Sequence, residues 1–256
     1  MIQNFKFSPQ AAAAKAALLS ILVYTSSCHT AELAVDNDLK NETEVYLVKG
    51  RQGTQIGQVI SFGDFKTSKV KRGWTFSYSI PFIVKFNGAK EKLSFEQFDP
   101  NGNTADVALV SRFKETEYAS LNDYFSISLN YKNYFAGSIK LNTQEEAWEF
   151  IVHNVDGGSR NLGRDKTIGF LQNGATKVDI YGVRQLEGSP SFVTQDDVYG
   201  YAFHLNGKII GTVSTINNGK VWLKNGLSDD LKLILASISS GLMLRNVMEG
   251  NTLSMK

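Results

Sequence analysis

Near its C-terminal end the chain reads NGLSDDLKLILASISSGLMLRN, from Asn225 to Asn246, and this stretch limits the available folds more than any other. Ser228 is a good helix N-cap, and Asp229 and Asp230 put negative charge into the first turn, where the helix dipole favours it. Between Lys232 and Arg245 no residue is charged. A helix lying on the outside of a sheet keeps a polar stripe toward water. Here Leu233, Ile234, Leu235, Ile238, Leu242, Met243 and Leu244 point to every side, with only Ala, Ser and Gly between them. The run spans roughly 18 Å, too short for a bilayer core. The pattern predicts a helix over 228–245 enclosed by protein. Its small residues, Ala236, Ser237, Ser239, Ser240 and Gly241, would let encircling strands come close, and the serine hydroxyls can bond back to the carbonyl four residues earlier.

What encloses it is predicted to be β-sheet. From Val45 to Lys224 turn signals recur at short intervals: Gly53, Asn87-Gly88, Asn101-Gly102, Asn173-Gly174, Asn206-Gly207 and Asn218-Gly219. Asn-Gly pairs supply the positive φ angles of tight hairpins, and most of these are flanked by β-branched and aromatic residues. In AWEFIVHN, Trp148, Phe150 and Val152 alternate onto one face, and Tyr201, Phe203 and Leu205 do so in YAFHL. The segment from Phe125 to Trp148 also aligns without gaps on Tyr199 to Trp222, matching Gly137 with Gly211 and Trp148 with Trp222. A looser third copy carries Gly57 and reaches Trp74 after a longer insertion. The similar spacing of Gly57, Gly137 and Gly211 suits one antiparallel sheet system that closes, or nearly closes, into a barrel.

The N-terminal part has a different character. Residues 1–27 hold Lys6 and Lys15 and no acid, then an apolar run from Ala16 to Tyr24, then Thr25, Ser26 and Ser27 before Cys28. That order is a secretory signal peptide, too short to span a bilayer as a stop-transfer helix. Without it the 27 basic residues fall to 25, equal to the 25 acidic ones. A neutral chain gives no general attraction to nucleic acid. Cys28 is the one cysteine, which excludes an internal disulfide and any multi-cysteine metal site. Residues 28–42, polar and acidic, read as a tether leading to a barrel domain over 43–256.

Two resemblances follow. The signal is similar to that of bacterial lipoproteins, in which the cysteine after the apolar run is acylated, although Thr25 stands where an aliphatic residue is usual. The strand GKIIGTVST, an Asn-Gly turn, the strand KVWLKN and an acid-capped apolar helix resemble the end of the tubby C-terminal-like superfamily, which includes LURP-one-related proteins and phospholipid scramblases. The second likeness is specific from Tyr199 to Arg245. It implies an all-β fold: an antiparallel closed β-barrel of about twelve strands with the hydrophobic C-terminal helix through its centre. A lipocalin-like barrel with an empty interior and the helix outside is the competing architecture.

Signs of catalysis are weak. His29, His153 and His204 come with no nucleophile elbow, metal-binding histidine pair or phosphate loop opening a helix. The glycine-rich HNVDGGSRNLGRDK holds Arg160, Arg164 and Lys166 but lies between strands. No catalytic residue, cofactor or metal is expected. The best ligand-contacting candidate is FKTSKVKRGW, where Lys66, Lys69, Lys71 and Arg72 adjoin Trp74. Such a patch could meet an anionic lipid headgroup, or it could be a solvated edge kept soluble by lysines. The expectation is a noncatalytic, lipid-anchored barrel of the bacterial cell envelope, held to a membrane through Cys28 and binding an envelope protein or anionic lipid. A periplasmic or secreted form, a small-molecule carrier and an unrecognised envelope hydrolase are the alternatives.

Overall fold

The computed structural model describes residues 30–52, 55, 57–73, 91–111, 134–153, 167–174, 176–190 and 198–253. The chain divides into two compact units, Met1–Ala31 and Glu32–Lys256, and every element below belongs to the second. A short helix α1 (Asn37–Asn41) precedes strands β1 (Thr43–Leu47), β2 (Ser61–Phe62), β3 (Phe65–Thr67), β4 (Lys71–Arg72), β5 (Glu91–Phe98) and β6 (Thr104–Ser111). Then follow β7 (Tyr134–Leu141), β8 (Trp148–His153), β9 (Thr167–Asn173), β10 (Thr176–Val183), β11 (Gly200–Leu205), β12 (Lys208–Ser214), β13 (Lys220–Lys224) and the long helix α2 (Asp229–Leu253).

The sheet runs in the order β1-β13-β12-β11-β10-β9-β8-β7-β6-β5-β3-β2, with β4 added on β5, and every strand pairing is antiparallel. Its two ends meet just beyond β1. Lys49 N–H donates to Ser61 O at 2.8 Å, and Ser61 N–H donates back to Lys49 O at 3.1 Å. The result is a nearly closed barrel of twelve strands in sequence-neighbour order, except where β1 joins β13 and where β5 follows β3. The signals at Asn101, Asn173, Asn206 and Asn218 lie at the junctions of paired strands, while Gly53 and Asn87-Gly88 lie outside the described residues. Asn206 and Gly207 take φ of 51° and 75° between β11 and β12, the two positive angles of a primed two-residue turn.

Helix α2 is the inside of this barrel. It touches β3, β5, β6, β7, β12 and β13, strands drawn from around the sheet. From Leu233 to Arg245 every residue is buried, with no outward stripe. This is the enclosed arrangement its composition predicts, and it disposes of the externally packed helix. The helix is longer than 228–245, continuing to Leu253.

Ser228 does cap it, its Oγ accepting from Leu231 N–H at 3.3 Å. The first-turn acids also tie it to the rim: Asp229 accepts from Asn101 Nδ2, and Asp230 accepts from Thr143 Oγ1 and Gln144 Nε2. Inside, Ser237 bonds back to Leu233 O at 2.7 Å, whereas Ser240 turns outward and donates to Gln97 Oε1 of β5 at 2.8 Å. A Cβ on Gly241 would lie 3.0 Å from Leu109 Cδ1, so glycine lets β6 approach this face of the helix.

Of the two aligned segments, the second holds the hairpin β11–β12, while residues 125–133 of the first lie outside the described residues; the strand pairs that lead into the tryptophans, β7–β8 and β12–β13, have different registers. Gly137 faces Phe150 while Gly211 faces Leu223, a slip of one residue relative to the tryptophans. A one-residue slip reverses the side-chain face. Trp148 accordingly packs into the main core with Phe150 and Val152, and Trp222 lies on the outside of the barrel.

That outer tryptophan is covered by the segment read as a tether. Leu33, Val35 and Leu39 form a second apolar cluster with Trp222, flanked by Val183, Tyr199 and Ile209. Leu33 bridges Leu186, Ala34 N–H donates to Gln185 O, and Glu32 pairs with Lys220 at 2.6 Å. From Glu32 to Asn41 the chain is therefore a strap fastened along the barrel wall.

Candidate functional site

The basic segment around β3 and β4 separates into two faces. Across a sheet, directly opposed residues project to the same side. Lys66 lies opposite Phe98, and Lys71 opposite Ser94; both lysines are exposed, as is Lys69 between the strands. Thr67 and Val70 turn into the barrel and are buried. Lys69 and Lys71 thus share the outer face, as extended chain predicts. Their cross-strand markers, Phe98 and Ser94, are four residues apart on β5, so the lysines form a stripe about 13 Å long rather than a tight cluster.

Arg72 does not belong to that stripe. It faces Leu93, which is 1% exposed in the core, and so points to the inside of the barrel wall. Its Nε and Nη2 are buried and have no hydrogen-bond partner among the described residues. Burial pulls the guanidinium below its usual pKa, and the charge of Glu91 acts in the opposite direction. Glu91 itself accepts from Ser111 Oγ at 2.9 Å.

Ser111 pairs with Glu91 on one side and Phe135 on the other, so these residues follow one another around the barrel. Over the Phe135 ring, at 5.5 Å from its centroid, sits the guanidinium of Arg245, which is 2% exposed and reaches Tyr201 Oη at 3.4 Å. Two inward arginines, one carboxylate and two hydroxyls therefore occupy the end of the barrel opposite the Asp229 rim. Pattern reading counted Arg72 among surface cations because Ser68 and Lys69 interrupt the alternation. Arg245 was legible only as the residue that ends the apolar run.

The opposite end is acidic. A cavity of about 160 Å³ lies between Glu44, Tyr46, Asp64, Asp99, Asp229 and Lys232. Three of its four carboxylates are engaged: Asp99 accepts from the backbone of Asn101 and Asn103, Asp229 from Asn101 Nδ2, and Glu44 from Tyr46 Oη. Desolvation and Glu44 together push the Tyr46 hydroxyl upward. Among the described residues no three of His, Cys, Asp and Glu could hold a metal ion.

His204 is on the outer surface, where its ring meets Tyr181 at 4.5 Å between centroids and Asp179 stands opposite on β10. Burial lowers its pKa, outweighing its bond to Gly207 and the nearby acids. The backbone of His153 ends β8. Cys28, His29, Trp74 and the arginine-bearing loop at 154–166 lie outside the described residues. Among the described residues no helix is long and apolar enough to cross a membrane.

Comparison with known proteins finds no matching family model, no similar curated protein and no similar solved structure.

Proposed function

We propose that this chain is an exported, lipid-anchored, noncatalytic β-barrel of the tubby C-terminal-like kind, acting at the bacterial cell envelope by binding anionic lipid or a partner protein. The observation that carries the reading is the enclosed α2. A lumen whose middle is filled by the apolar helix from Leu233 to Leu244 lacks, among the described residues, the large open cavity that a carrier of bulky apolar cargo needs, which works against the carrier alternative. The wall must then supply the binding surface. The exposed stripe of Lys66, Lys69 and Lys71 is suited to anionic headgroups, with Trp74 next to it in sequence.

The anchor in this reading is Cys28. The strap is fastened from Glu32 onward, so residues 28–31 alone would separate an acylated cysteine from packed chain. Four extended residues reach at most about 14 Å. Such a short link would keep the barrel beside the membrane and hold its wall lysines within reach of headgroups. Replacing Cys28 by Ser is expected to move the protein from the membrane to the soluble fraction. Unchanged fractionation, or a mature N-terminus by mass spectrometry that carries no acyl group, would remove the anchor.

The lysine stripe has its own test. Purified Lys66→Glu/Lys69→Glu/Lys71→Glu protein should bind vesicles containing phosphatidylglycerol at least tenfold more weakly than the parent, and parent binding should weaken as salt rises. Equal binding at all salt concentrations would reject the stripe as a headgroup contact.

A further inference from the structure

We propose that the arginine-bearing end of the barrel, where α2 leaves, is a binding site for a phosphate-type oxyanion, with Arg72 as its principal ligand. This site lies inside the wall, apart from the exposed lysines, and requires neither acylation of Cys28 nor the lysine stripe.

Arg72 is a half-buried cation with one hydrogen-bonding edge unused. Nε and Nη2 of an arginine lie on the same edge of the guanidinium and present two parallel N–H groups, the fork that matches two oxygens of a phosphate or carboxylate. In Arg72 these two nitrogens are the buried ones lacking a partner among the described residues. Leaving donors of a charged group buried and unpaired costs several times what an ordinary hydrogen bond contributes, so such a group calls for a physical reason. The adjacent carboxylate is not that reason. Glu91 directs Oε2 to Ser111, and the Nε–Nη2 edge of Arg72 stays open.

The surroundings favour an anion further. Helix α2 delivers Arg245 to the same end, buried over Phe135, which neighbours Ser111 and thereby Glu91. Arg245 thus adds a second guanidinium at the end of the barrel where Arg72 lies. A bound oxyanion would satisfy the open edge of Arg72. Inorganic phosphate and a phospholipid headgroup offer the same chemistry.

The test uses the full chain, its Arg72→Lys and Arg72→Leu variants, and two probes: inorganic phosphate, and phosphatidylglycerol vesicles in phosphate-free buffer. Phosphate is expected to raise the melting temperature of the parent by several degrees over sodium chloride of equal ionic strength. Arg72→Lys keeps the charge but loses the fork, and should lose the response. Arg72→Leu should lose it too, while melting at least as high as the parent in chloride, because it removes an unpaired buried charge. A vesicle response that depends on Arg72, without a free-phosphate response, would make a lipid headgroup the natural source.

The proposal is overturned if parent and Arg72→Lys respond alike to both probes, if neither probe acts on the parent, or if Arg72→Leu melts well below the parent in chloride. Should Arg72→Lys not fold, Glu91→Gln supplies the second reading: removing the neighbouring carboxylate should tighten phosphate binding severalfold, and unchanged or weaker binding would count against the site.

Discussion

Leu235→Asp should leave no folded protein: a far-ultraviolet spectrum without the parent's β signature, and material recovered only from the insoluble fraction. Leu235 is 0% exposed in the middle of a helix that has strands around it, so an aspartate there has no route to water. The choices are a desolvated, unpaired carboxylate or a neutral acid with open hydrogen-bonding groups, and each is expensive. The cost is comparable with the whole folding free energy of a domain, about 5–15 kcal/mol. Lys232→Asp is the control. Lys232 lies three residues earlier at the half-exposed mouth beside Asp229, and its replacement should shift stability by no more than about 1 kcal/mol. Comparable tolerance of aspartate at both positions would mean that the helix is not enclosed.

The second large effect belongs to the strap. Converting Leu33, Val35 and Leu39 together to serine should lower the melting temperature by roughly 10–20 °C and shift tryptophan emission to the red as Trp222 becomes wet. Each buried aliphatic side chain contributes about 1.5–3 kcal/mol, so the three amount to on the order of 5 kcal/mol. Val45 and Leu47, on the outer face of β1, are 51% and 62% exposed. Changing both to serine should be nearly neutral, which sets the scale for the strap variant. A melting temperature unchanged by the strap substitutions would show that residues 33–39 do not support the wall.

How much of this was legible in the chain differs from element to element. Helix α2 announced itself because an uncharged run of that length has only one comfortable place in a β protein. The hairpins were legible from Asn-Gly pairs, since few residues other than Asn and Gly tolerate the left-handed backbone at Asn206 and Gly207.

The strap was hidden by composition. Its three contact residues are spaced through acids and amides, and nothing local reveals that Trp222 projects outward to receive them. That projection depends on the register of β12 against β13, a long-range property set by pairing Thr212 with Trp222. The same limit applies to the basic segment. Three residues of irregular chain after β3, Ser68 to Val70, decide which cations reach water and which turn inward, so a cluster of four in sequence becomes three outside and one inside.

The closure of the sheet has a consequence for how the molecule is made. β1 has no partner until β13 has been synthesised, and the plug comes later still, after β13. Hairpins from β5 to β12 can form one by one as they emerge, but the cylinder cannot shut around a filling that does not yet exist. A nascent chain of this topology must wait, open along one seam, with its apolar lining turned to whatever surrounds it. The segment that follows β13 is the one that locks the rest.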